Sequence, residues 1–148
     1  MYLFFDTETT GLPKSCKAPV TDVDNWPRLV QIAWLFFGEK GDLIASGDFI
    51  VRPEGFIIPP ESSAIHGIST ERALEEGLPL RDVLQQFHEA ILPAEFLVAH
   101  NINFDEKIVG AEFLRLGKDN YLDEKAKICT MEKATNFCAI EGKYGYKW

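Results

Sequence analysis

Hydrophobic residues in this chain fall into two periods, one of strands and one of helices. Residues 2–6 form a short apolar run that ends on Asp6, and a run of that length bounded by turn residues reads as a buried strand. Residues 29–37 are rich in β-branched and aromatic side chains, which fit a pleated surface and predict a second strand. Gly38-Glu39-Lys40-Gly41-Asp42 has hairpin-turn chemistry, and residues 43–51 return as a third strand. The opening part of the chain is therefore expected to be an antiparallel three-stranded meander. Residues 14–27 have no clear period and carry Pro19, Asp22, Asp24 and Asn25, so they read as a loop.

Pro53 and Pro59-Pro60 then break the chain. Ser69 is placed to cap a short helix with Glu71 in its first turn, ending near Gly77. Pro79 opens a second helix, in which Leu80, Val83, Leu84, Phe87 and Ile91 share one face. His88 lies off that stripe and is expected at the surface. Pro93 ends this helix, and residues 96–99 form a short buried strand. Residues 105–116 read as a helix with Gly117 as its stop, and residues 130–140 as a weaker one. The tail, residues 142–148, has no period. Strands first, then strands alternating with helices, indicate an α/β domain with a mixed sheet. Ligands in such sheets collect at the carboxyl ends of the strands.

Length and composition narrow the class. At 148 residues, 46% hydrophobic and 26% charged, the chain is one domain's worth with a core that needs no disulfide or structural metal. No apolar run approaches the roughly 18 residues of a membrane span. The N-terminus has neither a basic region nor a small-residue cleavage site, so a cytoplasmic location is expected. Cys16, Cys129 and Cys138 are odd in number and lack a C-x-x-C spacing, which points to reduced thiols and away from a zinc site. The formal net charge is −8, and all of the excess lies before residue 100. That disfavours sequence-independent duplex binding through many phosphate contacts. It leaves room for an enzyme that holds a few nucleotides at a strand end, where bound cations supply the positive charge.

Candidate chemistry sits at two acidic motifs. Asp6 and Glu8 are two apart, so on a continuing strand they share a face. They repel each other there, and a hard divalent cation such as Mg²⁺ or Mn²⁺ relieves that repulsion through oxygen ligands. Asp105 follows the strand at residues 96–99, in the first turn of the next helix. If that strand lies beside the first, three carboxylates converge. Two metal ions roughly 3.5–4 Å apart in such a site can activate a water and stabilise a leaving oxygen in phosphodiester hydrolysis. Taken singly each motif is weak: Asp-x-Glu is common on surfaces, and Asn101 or Asn103 reads equally as a helix cap with Phe104 in the core. The pairing of motif and strand carries the signal.

Three segments resemble one family. Phe5-Asp6-Thr7-Glu8-Thr9-Thr10-Gly11 is similar to the first motif of the DEDD superfamily of 3′→5′ exonucleases, to which the proofreading, epsilon-like subunit of bacterial DNA polymerase III belongs. His100-Asn101-Ile102-Asn103-Phe104-Asp105 resembles its second motif. The segment from Pro60 to Ser69, containing Ile65-His66-Gly67-Ile68, resembles the stretch between them. The resemblance implies a ribonuclease-H-like fold and removal of nucleotides from a 3′ end of DNA or RNA by two divalent cations, Mg²⁺ or Mn²⁺. It implies that Asp6 bridges both metals, Glu8 binds one and orients the attacking water, and Asp105 holds the other. Glu61 and His66 would lie near the terminal sugar. Thr7, Thr9, Gly11, Asn101 and Phe104 would belong to the nucleotide slot, with Phe104 against a base or sugar and His100 and Asn101 orienting the second motif. Single-stranded or frayed 3′ ends, and possible association with a polymerase subunit, are the implied partners.

The family's third motif, a His followed five residues later by Asp, is not found after Asp105. His66, His88 and His100 all precede it. The expectation is an exonuclease domain whose C-terminal segment, with a general base and a fourth carboxylate, lies outside these residues. A second reading is a non-catalytic nucleic-acid-binding or interaction module that keeps two motifs. A third is an unrelated metal-dependent phosphohydrolase acting on small molecules.

Overall fold

Alternation along the first strand decides how the sheet faces its core. The structure is a computed structural model that describes residues 1–142 and 145–147. In β1 (Tyr2–Thr9), Leu3, Phe5, Thr7 and Thr9 are buried, whereas Tyr2, Phe4 and Asp6 are exposed and Glu8 is half-buried. β1 pairs antiparallel with β2 (Leu29–Phe37), which pairs antiparallel with β3 (Leu43–Ile50). The expected meander is present. On its other side β1 pairs in parallel with β4 (Phe96–Ala99), and β4 with β5 (Ala126–Cys129), giving the order β3-β2-β1-β4-β5.

Three helices join the meander to β4: α1 (Pro60–His66), α2 (Thr70–Glu76) and α3 (Leu80–Ile91). Ser69 caps α2 as expected, its side chain accepting a hydrogen bond from the Arg72 amide. The stripe on α3 is buried, and the Phe87 ring meets that of Phe5 with centroids 5.3 Å apart. α4 (Ile102–Arg115) covers the same face of the sheet, placing Ile108, Val109 and Phe113 in the core. The opposite face stays open. Phe4 and Leu35 are 40% and 43% exposed there, and a groove of about 800 Å³ runs along it past Val98, Asp6, His100 and Thr130.

The structure corrects several local expectations. The break at Pro60 is also a start: proline occupies the first turn of α1, where its missing N–H costs nothing. α4 begins at Ile102 rather than Asp105, because Asn101 takes a left-handed conformation (φ 63°) and turns the chain into the helix. β5 is too short, and too polar at Lys127, to show a period, so the sequence reading missed it. The last helix, α5 (Thr130–Cys138), stops short of Ile140 because Ala139 is left-handed (φ 48°). β6 (Ile140–Gly142) then pairs with β7 (Gly145–Lys147) where no period was evident. Residues 143, 144 and 148 of that tail lie outside the described residues. His88 is half-buried rather than on the surface, its ring stacked 3.9 Å from that of Tyr121. Among the described residues no helix is long and apolar enough to cross a membrane.

Candidate active site

The two acidic motifs meet because β4 lies beside β1 in parallel, with Phe4 opposite Val98. The chain leaves the end of β4, turns at Asn101, and enters α4 with Asp105 in the first turn. Asp105 is only 2% exposed. Its Oδ1 accepts hydrogen bonds from the Thr7 amide (3.1 Å) and the Thr7 hydroxyl (2.7 Å). Thr7 stands between Asp6 and Glu8, so the second motif is bonded directly into the first. Thr7 points inward and spends both donors on Asp105. Asp6 and Glu8 point to the other face, opposite Ala33 and Gln31 of β2.

Burial and neighbouring charge act together on the carboxylates. Burial pushes the Asp105 carboxyl up to about 6; the two Thr7 bonds oppose this and the Asp6 charge adds to it. Burial also raises Glu8, with His66 opposing and Asp6 adding. Asp6 thus acts on both other carboxylates. Among the described residues no group of three or more His, Cys, Asp or Glu side chains is gathered closely enough to hold a metal ion as they stand. The donor set nevertheless fits a hard divalent cation. It is all oxygen, and burial together with the Asp6 charge pushes Glu8 and Asp105 toward protonation, a penalty that a cation removes.

The remaining expected residues gather unevenly around this point. α1 lies beside the first motif: a methyl group added at Gly11 would meet Ser62 Oγ at 3.9 Å. This brings His66 within electrostatic reach of Glu8. His66 Nδ1 accepts from the Ile68 amide at 3.2 Å, which leaves the proton on Nε2 in the neutral ring. That Nε2 is buried with no hydrogen-bond partner among the described residues. Glu61 is exposed on the same helix. Thr9 is buried, and its hydroxyl donates to the Gly11 carbonyl at 2.7 Å, shaping the turn after the strand. Gly11 takes φ 143°, in the range that favours glycine. Phe104 is half-buried against the core edge, and Asn101 is exposed at the head of α4 without a side-chain cap bond. His100 Nδ1 lies 3.2 Å from Thr130 Oγ1, linking the ends of β4 and β5.

Sequence reasoning missed Glu112. It is fully buried on α4, and its Oε1 accepts from Arg28 Nε and the Leu29 amide, both at 2.9 Å. Arg115 Nη1 lies 2.9 Å from the same oxygen. The available signal was an acidic residue inside the apolar run Ile108–Phe113 of an amphipathic helix, where a carboxylate needs partners.

Known proteins resemble this chain in sequence and in fold. Residues 3–143 match the model of the Exonuclease family (RNase_T). Over 121 residues the chain is 35% identical to the DNA polymerase III subunit epsilon of Treponema pallidum, covering 82% of this chain and 49% of that one. The chain thus spans about half the length of this curated relative. Its fold is similar to that of E. coli exonuclease I in complexes with dT13 and dA16 oligonucleotides. The TM-scores are 0.77 and 0.78 at 18% identity, over 99% of this chain and 33% of those. With the fold and the extended sequence match in agreement, the chain belongs to the exonuclease family.

Proposed function

We propose that this domain removes nucleotides from a 3′ end by hydrolysis, with Asp6, Glu8 and Asp105 holding two divalent cations, Mg²⁺ or Mn²⁺. The observation that carries the proposal is the pair of hydrogen bonds from Thr7 to Asp105, which joins the two acidic motifs into one site. When bound, such cations activate a water and stabilise the leaving oxygen. Asp6, whose charge acts on both other carboxylates, would help to hold both ions. Glu8 would help to hold one of them and orient the water, and Asp105 would hold the other. His66, whose charge acts on Glu8, would lie near the sugar of the terminal nucleotide, and Phe104 and Gly11 would border the slot.

Single-stranded DNA is the favoured substrate. The named relative is a DNA polymerase subunit, and the named structures of like fold hold DNA oligonucleotides. Association with a polymerase and a cytoplasmic location accord with the same relative. Among the described residues the groups acting on Asp105 are Thr7 and Asp6. The match covers about half of the curated relative's length, and these 148 residues alone are expected to turn over weakly.

The test is degradation of a 5′-labelled single strand with Mg²⁺ or Mn²⁺, read on a gel. Shortening from the 3′ end that Asp6→Asn abolishes supports the proposal. Metal binding with no hydrolysis, even in a longer form of the protein, would move the chain to the non-catalytic module. Hydrolysis confined to mononucleotide esters would make it a small-molecule phosphohydrolase.

A further inference from the structure

We propose that Glu112 is a positioning residue for the metal site, a role that rests on the reading of Asp6, Glu8 and Asp105 as metal ligands. Glu112 follows Asp105 by seven residues, close to two turns, so both carboxylates project from one side of α4. Each is fully or almost fully buried, and each grips a different strand of the sheet. Asp105 takes the amide and hydroxyl of Thr7 on β1. Glu112 takes the Leu29 amide at the start of β2, together with the Arg28 guanidinium.

The second grip reaches back to the first motif through backbone bonds. Thr10 N donates to the Arg28 carbonyl (3.0 Å), and Arg28 N donates to Thr10 Oγ1 (2.9 Å). Thr9 stands opposite Leu29, immediately after an irregularity in the β1–β2 register between Glu8 and Thr9. Glu112 therefore holds the strand pair just past the point where Glu8 leaves regular pairing. Beyond the apolar packing of Ile108, Val109 and Phe113, the directional bonds of Glu112 give α4 a second fixed point on the sheet. The attachment at Glu112 fixes its rotation against β1 and β2, and with it the setting of Asp105 relative to Asp6 and Glu8. Metal sites need such ligand positions held to within about 0.5 Å.

A core role in folding alone does not account for the choice of residue, because an apolar side chain of similar size often serves stability as well as a buried ion pair. Arg115 reinforces the grip by donating to the carbonyl oxygens of Val23 and Trp26. The loop before β2 is thereby tied to the same helix.

The test is Mn²⁺ binding, followed by electron paramagnetic resonance, at a temperature far below the melting transition of each variant, with circular dichroism as the control for folding. Glu112→Gln keeps an acceptor for Leu29 and Arg28 and is expected to stay within about threefold of wild type. Glu112→Met keeps the volume but loses the acceptor, and is expected to weaken Mn²⁺ binding about tenfold, as supporting residues around metal ligands do. A folded Glu112→Met that binds Mn²⁺ like wild type overturns the inference and leaves the metal site itself intact. If Glu112→Met does not fold, Arg28→Met decides the matter, since it removes one donor and leaves the Leu29 bond. Weakened binding upholds the positioning role, and unchanged binding overturns it. A wild-type protein that binds no Mn²⁺ defeats the metal site and this inference together.

Discussion

Replacing Thr7 by valine removes one proton donor from Asp105 while keeping size and β-branching. The Thr7 hydroxyl bond is short, 2.7 Å, and buried, and the amide bond at 3.1 Å remains. A hydrogen bond to an ionised group is worth about 1.5–3 kcal/mol, against about 0.5–1.5 for a neutral pair. The variant should therefore raise the Asp105 pKa from about 6 by roughly one unit, at about 1.4 kcal/mol per unit.

The sign follows from linkage. The folded-state value lies above the ordinary carboxyl value of 3.8, so the folded protein binds the proton more tightly than the unfolded chain. Stability from this group is fully present below about pH 4 and is lost as pH rises through 6, by about 3 kcal/mol in all. Thr7→Val extends that loss to higher pH. Urea unfolding in the presence of a chelator should show the variant about 1.5–3 kcal/mol less stable than wild type near pH 8, where Asp105 is ionised in both. Near pH 5, where the carboxyl is protonated, the gap should shrink by about 1 kcal/mol or more. An equal gap at both pH values would refute the assignment of the hydroxyl bond to the ionised carboxylate.

Other predictions are smaller in scope. Mn²⁺ affinity should fall as pH drops through 6, by about tenfold from pH 7 to pH 5, because one proton competes for Asp105; isothermal titration across that range checks it. Ser69→Ala removes the cap that accepts from the Arg72 amide and should cost about 1 kcal/mol in denaturant unfolding. Gly77→Ala would place a methyl carbon 2.3 Å from the Ala73 carbonyl oxygen and 2.7 Å from the Arg52 amide. Backbone atoms cannot step aside as a side chain can, so a loss of at least about 1–3 kcal/mol is expected, visible as a lower melting temperature.

Most of the architecture was legible wherever one period dominated. The meander showed because β2 is nine residues of nearly unbroken apolar sequence, and α3 because its stripe repeats over three turns. β5 and the β6–β7 hairpin were hidden because strands of four and three residues are too short to display alternation. α1 was hidden because its proline looked like a terminator.

The acidic residues of the site were visible as types and spacings. Their connection was not, because Thr7, expected in the nucleotide slot, turns inward and bonds Asp105 instead. Glu112 was invisible for a related reason: its partners Arg28 and Leu29 are 84 and 83 residues away. No local pattern encodes such a contact.

The central claim is that Asp6, Glu8 and Asp105 act as one metal-binding unit. Its most direct test is Mn²⁺ titration, followed by electron paramagnetic resonance near neutral pH, of the wild-type protein and of Asp105→Asn. This account predicts saturable binding to the wild type. It predicts binding at least about tenfold weaker in the variant, which loses one charged oxygen ligand of a hard cation. Equal affinity in the two proteins, or no binding to either, would contradict it.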